Sequence, residues 1–138
     1  MSLVTRSASA SMDASTGMFA AQLTDLIAGE DLDAVAPCYI KTSDGKVYMS
    51  NGTNDDEAAE FVGFTPTAIK AGNPVTLFAL GARFKYGTSL SPGAYFYIGA
   101  TAGRLDTAAT TGGGSKIARV IDDTDIQCIA MFNSADGT

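Results

Sequence analysis

The sequence predicts an all-β fold, a small single-domain barrel or sandwich of short strands and hairpins, preceded by an extended N-terminal arm. Three observations carry that expectation. Apolar runs are only four to eight residues long and end at Gly, Pro, Asn or Asp, as at Asn73-Pro74 and Pro92-Gly93. β-Branched and aromatic residues fill the runs, for example Tyr95-Phe96-Tyr97-Ile98. No stretch keeps a helical apolar period long enough for a packed helix. At 138 residues the chain has room for one core and not for a second domain.

The elements follow in order. Residues 1–17 hold Ser, Ala and Thr with only Arg6 and Asp13 charged, a composition that reads as an extended arm, either a disordered tail without a role or a segment that orders on a partner. Residues 18–138 form the single β domain. Residues 18–27 fit either a short helix or a strand, with strand favoured by the β character of the rest of the chain, and 29–32 fit a turn. The first hairpin spans 38–49 and reverses at Ser43-Asp44-Gly45, where Asp-Gly supplies the turn. Residues 51–59 read as an acidic loop with one helical turn, 61–64 and 75–80 as strands. Residues 81–105 hold two strands and two turns, 107–115 a glycine-rich loop, and 117–121 with 126–132 two closing strands.

The stretch 81–105 echoes an earlier one. Leu32, Tyr39, Ile40, Gly45, Lys46 and Val47 keep the spacing of Leu90, Tyr97, Ile98, Gly103, Arg104 and Leu105. Two readings fit: a structural duplication, or reuse of a common hairpin.

Composition narrows the function. The net charge of -6 and scattered basic residues speak against a nucleic-acid partner. No apolar run reaches membrane-spanning length, and the opening MSLVTRSASAS lacks the apolar core of a secretory signal, so neither a membrane nor export is expected. Histidine is absent, which removes the usual general base and commonest metal ligand. No enzymatic activity, cofactor or metal is therefore expected. The clusters Asp55-Asp56-Glu57 and Asp122-Asp123-Asp125 lack the spacing of a calcium loop and read as solvated turns. Cys38 and Cys128 belong to no paired motif; a disulfide between two strands and two free, buried thiols both fit, free thiols being the commoner case. The aromatics Tyr86, Tyr95 and Tyr97 read either as core and cross-strand pairs, the commoner use of alternating strand positions, or as a sugar-binding platform, which would make the chain a carbohydrate-binding or adhesin module of a tail fibre.

Taken in order, AGEDL, DGKVY, FVGFTPTAIKAGNPVTLFALG, SLSPGAYFYIGATAGRLDT and IARVI, spread over residues 26–132, resemble the small capsid decoration, or head cement, proteins of tailed bacteriophages. The resemblance implies a tulip-like β domain, trimeric, on the outer surface of the expanded virion head, where it bridges neighbouring major capsid protein subunits. It also implies an N-terminal arm that orders against the coat. Leu3, Val4, Arg6 and Met12 are the arm residues expected to touch coat protein. A tail-tube or head-completion subunit is the remaining structural alternative.

Overall fold

Ten short strands form two antiparallel five-stranded sheets in a computed structural model that describes residues 3–12 and 20–130. The strands are β1 (Gln22–Ile27), β2 (Pro37–Ile40), β3 (Val47–Met49), β4 (Gly63–Phe64), β5 (Pro74–Phe78), β6 (Arg83–Lys85), β7 (Tyr95–Ile98), β8 (Leu105–Asp106), β9 (Ala118–Val120) and β10 (Asp125–Cys128). One 3-10 turn, Glu57–Ala59, is the only helical element among the described residues. The molecule is thus an all-β, sandwich-like body of open sheets. Residues 13–19 and 131–138, which include the start of the first expected strand and the end of the last, lie outside the described residues.

The sheet orders are β1-β5-β4-β2-β3 and β6-β10-β9-β7-β8. Numbered within each half, both read 1-5-4-2-3, so the echo seen between two hairpins extends to the whole topology. Register agrees as well. Ile40 faces Val47 as Ile98 faces Leu105, and Pro37 faces Phe64 as Tyr95 faces Arg119. Backbone bonds outside the ladders repeat too: Val62 N–H to Cys38 O (2.8 Å) corresponds to Ile117 N–H to Phe96 O (2.8 Å), and Val35 N–H to Thr65 O (3.0 Å) to Gly93 N–H to Val120 O (2.9 Å). Val35 and Gly93 share a positive φ, of 46° and 86°. A β-branched residue rarely adopts that conformation, so Val35 carries strain that glycine avoids at the equivalent position. The hairpin tips match in the same way, with Gly45 at φ 70° and Gly103 at 75°.

Strand alternation places the core. In the first sheet Cys38, Val47, Val75 and Leu77 point to one face, where Ala28, Leu32 and Ala36 cover them in a cluster made only of first-half residues. Phe64 and Phe78 point to the other face and enter the larger cluster with Phe84, Phe96, Ile98, Leu105, Val120 and Ile126 of the second sheet. The Phe64 ring lies 4.9 Å from that of Phe84. The first sheet is therefore buried on both faces, and the second on one. Cys38 and Cys128 are free and buried, and burial pushes the Cys128 thiol up to about 12 and the Cys38 thiol well above its ordinary value. Both act as small apolar residues at neutral pH.

Candidate functional site

The segment 3–12, expected to extend from the domain, lies across it instead. Leu3 pairs with Asp106 beside β8, and Ser11 pairs with Lys85 of β6. Those strands are the two edges of the second sheet, so one short segment covers both. Val4 N–H donates to Leu105 O (2.9 Å), Ser7 N–H to Tyr86 O (2.8 Å) and Met12 N–H to Pro66 O (2.8 Å). Edge strands present unpaired donors and acceptors, and an extended segment satisfies them at the cost of its own backbone entropy. Three side chains offset that cost: Val4, Ala10 and Met12 are each 6% exposed and pack in the main core. Spread among small polar residues, these three gave too low an apolar density to read as core from composition.

The four residues expected at a coat contact therefore have different positions. Val4 and Met12 are inside this chain. Leu3 is 38% exposed, at the margin of the segment. Arg6 ties three parts together: Nη1 donates to Gly103 O (2.9 Å) of the second-half hairpin tip and Nη2 to Asp33 Oδ2 (2.8 Å) of the first half. Arg104 adds a fourth tie, Nη2 to Val4 O (3.0 Å). The outward side of the segment consists of Leu3, Thr5, Ala8, Ser9 and Ser11.

The aromatic platform separates. Tyr86 is fully buried, its hydroxyl accepting the Leu105 N–H at 3.1 Å, and burial raises its phenol. Tyr95 is 39% exposed on the outer face of the second sheet, with Lys116 Nζ 4.3 Å from its ring centroid. Tyr97 is half-buried on the same face. Tyr86 thus joins neither of them.

The acidic clusters are turns. Asp122 Oδ1 accepts the N–H groups of Thr124 (3.0 Å) and Asp125 (2.8 Å), which hold its carboxyl below the ordinary range, while Arg83 bonds both Asp122 (3.1 Å) and Asp125 (3.1 Å). Glu57 accepts the Thr42 N–H, tying the acidic loop to the first hairpin. Among the described residues no group of three or more His, Cys, Asp or Glu is placed to hold a metal ion, and no helix is long and apolar enough to cross a membrane.

No protein-family model matches this chain, and no curated protein matches it at a significant level.

Proposed function

We propose that the chain is a structural virion protein that decorates the expanded head of a tailed bacteriophage from outside, bridging neighbouring major capsid protein subunits. The observation that carries this reading is the ordered series of motifs from AGEDL to IARVI, because each one falls on a strand or reversal that defines the two halves. DGKVY is the reversal into β3, SLSPGAYFYIGATAGRLDT is the whole β7–β8 hairpin, and IARVI contains β9. An acidic body whose carboxylates serve turns and ion pairs also suits the outside of a DNA-filled shell better than its interior.

The mechanism is linkage. A protein that binds only the expanded lattice stabilises that lattice over the procapsid by its binding free energy, repeated around the shell. The contact is assigned to the outward side of the segment 3–12, with Leu3, Thr5 and Ala8 against coat protein. Val4, Arg6 and Met12 hold that segment in place. Co-sedimentation with expanded heads, and separately with procapsids, built from the coat protein of the same genome tests this. Saturable binding to expanded heads alone is the expected result; binding to neither particle sinks the proposal.

A further inference from the structure

Three stretches of chain meet at Gly52. Its N–H donates to Gly99 O (2.7 Å) just past β7, and its own carbonyl accepts the N–H of Gly112 (3.0 Å) from the glycine-rich loop. Gly52 is buried, and a Cβ there would run into the Thr110 hydroxyl and lie 2.9 Å from Ile98 O, so a larger residue does not fit. Thr110 is itself fixed, its hydroxyl donating to Ile98 O (2.8 Å) and accepting the Gly113 N–H (2.9 Å). Gly52 is therefore a point at which the first half is clamped into the second. The residue before it is constrained as well. Asn51 donates its N–H to Ala58 O (2.6 Å), and its Oδ1 accepts the Thr53 N–H (2.9 Å), a turn that needs a short side chain ending in an acceptor. Packing thus favours asparagine followed by glycine.

That pair carries a chemical liability. In an open chain the Gly52 amide nitrogen, with no side chain beside it, loses its proton and attacks Asn51 Cγ. The N–Cγ bond forms, the Cγ–Nδ2 bond breaks, and the amide leaves as ammonia after taking up a proton. Water then opens the cyclic imide at either carbonyl, giving aspartate or isoaspartate. The balance is ammonia lost and water gained, with no oxidation or reduction. In the folded chain the Gly52 N–H is held by Gly99 O in a buried site, and the Asn51 side chain is turned toward the Thr53 N–H. Neither the nucleophile nor the carbonyl is then free to react.

We infer that Asn51-Gly52 is a site of spontaneous modification, silent while the two halves are clamped and reactive when they part, and that its isoaspartate product no longer fits the clamp. The reason lies in the backbone. Aspartate keeps the acceptor for Thr53 and leaves the main chain unaltered. Isoaspartate routes the main chain through the former side chain and lengthens it by a carbon, which displaces Gly52 from Gly99 and Gly112. The surrounding space does not take even an added Cβ, so the longer chain has nowhere to go. A chain that stays open long enough is thereby withdrawn from the folded population. The site does not depend on the head-binding reading, since it involves this chain alone.

Incubating the full chain at mildly alkaline pH, in native buffer and in concentrated guanidinium chloride, tests this, with peptide mapping by mass spectrometry as the readout. Isoaspartate at position 51 is expected in the denatured sample and to form about tenfold or more slowly in the folded one, where reaction waits for opening. After dilution from denaturant, the refolded fraction is expected to contain asparagine or aspartate at 51, and the fraction that fails to refold to hold the isoaspartate. Asn51→Asp separates this site from damage elsewhere, because an ionised carboxylate cyclises far more slowly than an amide. That variant is expected to keep its refolding yield through the same denaturing incubation. Equal rates in the folded and denatured samples overturn the proposal. So does isoaspartate at 51 in refolded chains that melt like the untreated protein, or an Asn51→Asp chain that loses yield as fast as the wild type.

Discussion

Tyr86 shows how one buried hydroxyl bears on the core. Its oxygen is the partner of the Leu105 N–H, at the start of β8. Tyr86→Phe keeps the ring and strands that donor in a dry interior, so a loss of about 1–2 kcal/mol is expected in urea unfolding. An unchanged midpoint would mean that the N–H finds another partner. Its burial was readable from its neighbours: Arg83 and Lys85 point outward in β6, which puts Phe84 and Tyr86 on the inner side. Grouping it with Tyr95 and Tyr97 by residue type missed that parity. Asp122 illustrates an electrostatic effect at the same scale. Its carboxyl is held below the ordinary 3.8 in the fold by backbone donors, first that of Thr124. The stabilisation is complete above the unfolded value and disappears as pH falls through the lower folded one. Asp122→Asn should therefore flatten the decline of stability below about pH 4, read from urea midpoints across pH.

Strands, hairpins and their turns were legible because their signals are local. Asp44-Gly45 announced the β2–β3 reversal, and Pro92-Gly93 the entry to β7. Pairing was not legible, since placing β5 between β1 and β4 depends on which face each strand buries and on loops that leave no local mark. The bulge in β1, where Asp25 takes a φ of 63°, likewise has no signal in the run Gln-Leu-Thr-Asp-Leu-Ile. Segment 3–12 failed for a different reason: it is anchored by backbone bonds to edges formed far along the chain and by three apolar side chains scattered among small polar ones. Removing residues 1–12 should expose those edges and lose the burial of Val4 and Met12, at roughly 2–4 kcal/mol after the entropy regained. A thermal melt checks this. A midpoint equal to that of the full chain would show that the segment contributes nothing net.

Across the whole molecule, the all-β architecture followed from the sequence, and so did the first trace of its duplication. Six matched positions around two hairpins marked what proved to be one strand order used twice. The rest of the repeat was hidden because its faces diverged: positions equivalent to Phe64 and Phe78 are Arg119 and Gln127. Burial keeps the first pair apolar, while solvent allows the second to become polar. The candidate contact residues were legible as a segment, but their division into anchors and outward residues required the fold. That division depends on which side chains reach the core, a property of tertiary packing rather than of composition.

The strap formed by residues 3–12 also bears on the order in which the chain can be completed. Arg6 and Gly103 are 97 positions apart, and Val4 and Arg104 are 100 apart. During synthesis this segment leaves the ribosome well before the strands it closes exist, and the first half can assemble its own cluster in the meantime. Made well before the strands it closes, it can be seated only after them, so until then a nascent chain carries a second sheet with both edges open. Neighbouring chains on a crowded polysome could pair with those edges during that interval, and seating the strap removes the opportunity.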